Sequence, residues 1–164
     1  MNRAFIKDIE KQYIDAVKFY EEEIRGSNVP DVDCFINLAF LYWSFATEQI
    51  EFNDPNNIPD EWSVIGEKNF LPTIDKGLKN YPDHLELVFW RRYLSHRLYF
   101  TSDFTENDCK AILETNRNQG VLVPYFFLYL FDKEAYADEI VELRRVCNEL
   151  PTAKNLYIST FIGK

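Results

Sequence analysis

Phe70-Leu-Pro-Thr-Ile-Asp-Lys-Gly-Leu-Lys-Asn-Tyr-Pro-Asp-His-Leu-Glu-Leu-Val-Phe-Trp-Arg-Arg-Tyr-Leu-Ser-His-Arg-Leu-Tyr-Phe100 is the stretch on which the fold turns. It reads as two antiparallel helices joined at Asn80-Tyr81-Pro82-Asp83. Ile74 and Leu78 are four apart and share one helical face. Leu87, Trp90, Leu94 and Leu98 form the answering stripe, widened by Val88, Tyr93 and Phe100. Pro82 stops the first helix because its ring and missing N–H cannot continue the hydrogen-bond ladder. Asp83 is a natural N-cap for the second.

The flanking sequence repeats this pattern. Residues 3–25 read as one amphipathic helix through Phe5, Ile9, Tyr13, Ala16, Tyr20 and Ile24, ended by Gly26-Ser27. Residues 31–49 are apolar nearly all round, so that helix must be covered on several sides. Phe40 and Trp43 lie off its main stripe and either pack in the core or face a partner. Residues 50–61 hold Asn53, Asp54, Pro55, Asn56, Asn57, Pro59 and Asp60 and are the most loop-like segment. Trp62 to Asn80 follows as a helix that Gly66, Pro72 and Gly77 weaken or divide. After a break at Thr101-Ser102-Asp103, Thr105 and Asp108 have capping-box spacing for a helix reaching about Asn116. Asn116-Arg-Asn-Gln-Gly120 closes it. Val121 to Phe131 is a buried aromatic helix led by Pro124, and Lys133 to Glu149 is amphipathic. Pro151 opens a last helix packed through Leu156, Tyr157, Phe161 and Ile162. The expectation is an all-α chain of seven or eight helices, stacked as irregular antiparallel α-hairpins in one domain over residues 1–164.

One segment carries a family resemblance. Ile74-Asp-Lys-Gly77-Leu78-Lys-Asn-Tyr-Pro82-Asp83-His-Leu-Glu86 has a large residue, a small one three later and a proline five later. It resembles the junction between two tetratricopeptide repeats. Val88, Arg91, Arg92 and Ser95 stand where that family has its Trp-Leu-Gly-Tyr half. The resemblance implies a protein-binding scaffold.

Composition narrows the function. The 164 residues are 46% hydrophobic and 16% aromatic, enough to form a packed core. Only 5 Gly and 7 Pro are present, which disfavours a turn-rich β fold. The net charge is −9. Residues 1–82 carry 8 basic and 15 acidic side chains, against 10 and 12 in residues 83–164, so most of the negative field lies in the first half. Such a surface repels nucleic acid and anionic lipid and favours a basic protein partner. The first ten residues are charged throughout and lack the apolar region of a signal peptide. The apolar run from Val121 to Phe131 is too short to span a bilayer. Three dispersed cysteines suit a reducing cytoplasm.

Reactive groups are sparse. Cys34, Cys109 and Cys147 form no zinc pattern. Cys109 has Lys110 beside it but acidic neighbours Glu106 and Asp108, which oppose thiolate formation. His84 and His96 are twelve apart on one helix and cannot share a metal there. His84-Leu-Glu86 lacks the Pro-Cys-x-x-Cys of the zinc deaminases. Arg91, Arg92 and Arg97 are the one basic cluster. No catalytic, cofactor or metal residue is expected.

The leading expectation is a non-enzymatic acidic protein-binding protein of the immunity or antitoxin kind, covering the cationic active site of a nuclease-type toxin. Its contacts would be Glu48, Glu51, Asp54, Asp60 and Glu61 with Glu21, Glu22 and Glu23, around the aromatic anchors Trp62 or Trp43. The alternatives are a tetratricopeptide-like adaptor using Arg91, Arg92 and Tyr93 in a groove, and an enzyme built from dispersed Glu and His residues.

Overall fold

Helix α3, Val32–Thr47, is the most deeply covered element: every residue from Cys34 to Phe45 is buried. Asp31 opens it, its carboxylate accepting the Asp33 amide at 3.0 Å. In a computed structural model that describes residues 2–99, 103–115 and 119–163, the chain is all-α. Among these residues there is no strand, and no helix is long and apolar enough to cross a membrane. The remaining helices are α1 (Arg3–Ile9), α2 (Tyr13–Gly26), α4 (Glu61–Asn80), α5 (Leu85–Tyr99), α6 (Glu106–Thr115), α7 (Tyr125–Tyr129), α8 (Ala137–Glu149) and α9 (Ala153–Ile162).

The chain divides into two compact units. The first comprises residues 1–82 with Thr152–Lys154. Its helices pack in chain order, α1 on α2, α2 on α3 and, most extensively, α3 on α4. Gly66 permits that last contact. A Cβ built there would lie 2.2 Å from the Tyr42 carbonyl oxygen, so the two backbones meet where no side chain fits. Helix α4 runs unbroken through Gly66, Pro72 and Gly77, and the divided helix considered from sequence does not occur.

The expected single helix over 3–25 is two helices. Lys11 adopts a left-handed conformation, φ 60°. Its amide reaches the Asp8 carbonyl at 2.9 Å, and the Gln12 amide reaches Lys7 at 2.9 Å. This is a Schellman motif whose left-handed position holds lysine where glycine is usual. Gly26 is the last residue of α2 and lies outside the left-handed region. That helix ends without the expected glycine cap.

The second unit comprises residues 83–151 and those from Asn155 onward. The junction expected at 80–83 is real, but it is also where the chain passes from one unit to the other. The main packing partner of α4 is therefore α3, its partner within the first unit. The Leu85 amide donates to Gln119 Oε1 at 2.8 Å, and Gln119 Nε2 returns a bond to the Asp83 carbonyl at 2.6 Å. Gln119 thus takes the capping work expected of Asp83. Thr105 and Asp108 form the expected capping box, with Thr105 N to Asp108 Oδ2 at 2.8 Å and Asp108 N to Thr105 Oγ1 at 3.3 Å.

The core of this unit is aromatic. Phe89, Trp90, Tyr93, Phe104, Phe126 and Phe127 are buried and touch edge to face or stacked, as with Phe104 and Phe127 at 4.9 Å. Each such ring stabilises the fold by roughly 2 kcal/mol through burial alone. The roles read for Phe100, Thr101 and Ser102, and for Asn116, Arg117 and Asn118, fall outside the described residues.

Candidate functional site

The acidic segment expected as a loop is a pair of irregular helical turns. After Thr47 the backbone widens: the Asn53 amide bonds the Glu48 carbonyl five residues back at 3.0 Å, and the Asp54 amide bonds Gln49 in the same way. Such π-turns occur often at functional sites. Asn53 locks the turn, since its buried side chain donates to the Phe45 carbonyl at 2.8 Å and to Gln49 Oε1 at 3.2 Å. Asp54–Asn56 form a short 3₁₀ turn with Pro55 at its second position, and Asn57, φ 53°, ends it in the left-handed region. Two rings hold the segment from beneath, Phe52 lying 4.7 Å from Tyr13 and 6.0 Å from Phe45.

This scaffold leaves Glu51, Asp54, Asp60 and Glu61 exposed and Glu48 half-buried. Asp54 accepts from Gln49 Nε2 at 2.7 Å. None of Glu51, Asp60 and Glu61 forms an ion pair with a described residue. Trp62 is half-buried, edge-on to Phe45 at 5.5 Å. Trp43 is fully buried against Phe40 and offers a partner no surface, so the two aromatic anchors named from sequence reduce to Trp62.

Glu21, Glu22 and Glu23 lie elsewhere. Tyr13, at the start of α2, packs on the acidic turn, and the glutamates follow roughly 12–15 Å further along the same helix. Glu22 and Glu23 are exposed. Glu21 is half-buried and accepts a short hydrogen bond from Tyr42 Oη. Burial, and after it the Glu21 contact, push the Tyr42 phenol far above its ordinary range. The eight carboxylates therefore form two patches.

The remaining candidates are held in structural contacts. Tyr93 is buried with its hydroxyl 2.6 Å from that of Tyr157. Arg91 reaches Ser95 Oγ at 3.0 Å, and Arg92 bonds the Asp103 carbonyl at 2.7 Å and lies 3.6 Å from Asp108. Glu86 is buried and accepts from Trp90 Nε1 at 3.0 Å, so the His84-x-Glu86 pair turns its carboxylate into the core. All three cysteines are buried. Burial pushes the Cys34 thiol up to about 11 and the Cys109 thiol up to about 12. Among the described residues no three His, Cys, Asp or Glu side chains are placed to hold a metal ion.

No protein-family model, curated protein or solved structure matches this chain. Its own geometry is thus the guide to function.

Sequence reasoning missed Asp8. It is fully buried, accepts from Tyr20 Oη at 3.0 Å and from the Ala153 amide at 2.7 Å, and lies near Lys154. Desolvation raises its carboxyl to about 6, against the lowering effect of those partners. In the sequence it sits beside Lys7 and Glu10 and reads as one more surface charge.

Proposed function

We propose that this chain is a non-enzymatic protein-binding protein that engages a basic partner through the acidic turns between α3 and α4. The observation that supports this is a set of exposed carboxylates that pair with no described residue: Glu51 on the turn pinned by Asn53, and Asp60 and Glu61 at the start of α4. Glu51 has no internal partner and adds little to folding stability, whereas Asp60 and Glu61 also favour the positive N-terminus of α4. Carried on helical backbone, all three cost little conformational entropy when a cationic surface docks. Trp62 lies beside them as the aromatic anchor. The specific role is that of an immunity or antitoxin protein covering the cationic active site of a nuclease-type toxin.

Pull-down from native cell extract with mass spectrometry names the partner, and stopped-flow kinetics then test the mode of binding. Association should slow about tenfold or more as salt rises from low to high concentration. Charge reversal by Glu51→Lys with Glu61→Lys should slow it similarly. Salt-indifferent association with an acidic partner overturns the proposal.

The second reading, a tetratricopeptide-like adaptor, is favoured by the chain-order packing of α1 through α4. It predicts binding carried by a groove, with little dependence on salt or on Glu51 and Glu61.

A further inference from the structure

A cavity of about 560 Å³ opens in the second unit among α6, α7 and the start of α8. Its volume lies in the range of small-molecule sites. Leu113, Val121, Leu122, Tyr125 and Tyr136 line it, and all five are only half-buried, so apolar surface is left for a ligand to cover. Tyr125 opens α7, and Tyr136 stands at the N-cap of α8. Their ring centroids lie 5.9 Å apart with the planes tilted by 48°. Aromatic faces attract cations through the ring quadrupole, and here two rings border one cavity.

The charge around the cavity has the matching sign. Lys110 is the only cation among the described lining residues, and Glu106 holds its ammonium at 2.7 Å. Two carboxylates, Glu114 and Glu139, line the cavity as well. Glu139 is half-buried and forms no ion pair with a described residue. It lies with Asp138 in the first turn of α8, whose positive end favours both. An apolar and aromatic wall offers few acceptors, so the three N–H donors of a primary ammonium would go largely unmet there. A cation without N–H groups has no such cost.

We propose that this cavity binds a quaternary ammonium compound, its methyl groups against Tyr125 and Tyr136 and its charge balanced by Glu139. Apolar contact supplies the burial, and the rings and the carboxylate select the charged compound over a neutral one of the same shape.

The test is an amide-shift NMR titration of the full chain at constant ionic strength with choline, and separately with 3,3-dimethylbutan-1-ol, its uncharged carbon isostere. Choline should shift the amides of residues 113–114, 121–125 and 136–139 and bind about tenfold tighter than the alcohol. Tyr136→Leu should weaken choline about fivefold, and Tyr136→Phe, which keeps the ring, less than about twofold. Glu139→Gln should weaken choline about fivefold. Asp138→Asn, which removes an exposed neighbouring charge outside the cavity lining, should weaken it less than about twofold. Four results would each overturn the proposal: no choline-dependent shifts in those residues up to about 10 mM, equal binding of choline and the alcohol, choline binding untouched by Tyr136→Leu, or equal loss with Glu139→Gln and Asp138→Asn.

Discussion

Asp8 and Ala153 are joined by a 2.7 Å hydrogen bond across 145 positions of sequence. The acceptor is a carboxylate with no exposure to water, and the donor is the first amide of α9. The contact ties the Thr152–Lys154 segment into the first unit. Because burial raises the folded-state carboxyl to about 6 from 3.8, the ionised form carries a cost that the unfolded chain does not.

The sign of the resulting pH dependence follows. That cost is full above about pH 6 and fades as pH falls toward the unfolded value. Relative to Asp8→Asn, which does not titrate, the wild-type chain should gain about 2 kcal/mol between about pH 7 and pH 4.5, read from urea midpoints. A pH-independent difference would mean that the Asp8 carboxyl titrates alike in the folded and unfolded chains, with burial not raising it. Asp108 acts oppositely. Its Thr105 hydrogen bonds and nearby Arg92 hold its carboxyl below the usual range, so its contribution is present at neutral pH and is lost on acidification.

Gly66→Ala should destabilise the protein although it places alanine inside a helix. The propensity gain is about 1 kcal/mol. Against it stands an overlap at 2.2 Å with a backbone carbonyl, which cannot rotate away as a side-chain tip can. Separating α3 from α4 costs about 3 kcal/mol or more, the upper end for overpacked cores, because the clashing atom is backbone. Gly26→Ala meets nothing within 4 Å and should be neutral or slightly stabilising in the same thermal melts.

Lys11→Gly should raise stability. An L-residue in the left-handed region costs about 1–2 kcal/mol, and glycine returns part of that through its unfolded-state entropy. The expected net gain is about 0.5–1 kcal/mol in urea unfolding. A loss would mean that the Lys11 side chain contributes more than its exposed position suggests.

Thiol labelling should report unfolding rather than reactivity. With all three sulfurs buried, and those of Cys34 and Cys109 shifted upward, an aromatic disulfide reagent at mildly alkaline pH should modify none of them rapidly in the folded protein. All three should react at once in denaturant. Fast native labelling of a single cysteine would identify a locally opening segment.

Much of the architecture was legible along the chain because periodic apolar stripes and caps are local signals. The stripe through Leu87, Trp90 and Leu94 is buried as expected, and the Thr105–Asp108 box forms as spaced. Pro151 does precede the last helix. The break at Lys11 was invisible because the residue that signals such a turn, glycine, is replaced by one that usually continues a helix. The turn after Thr47 looked like open loop because Asn, Asp and Pro dominate it, yet a single buried amide side chain, Asn53, winds it into helical turns.

The candidate surface divides in the same way. Which side chains are acidic, and that they crowd the first half, is a property of the sequence alone. That Trp43 is core while Trp62 remains half-exposed, that Glu21 bonds Tyr42, and that Asp8 lies buried against Ala153 were decided by tertiary structure. The reason is range: a helical period reports what lies three or four residues away, whereas burial and charge state depend on which distant segment comes to rest against a given atom.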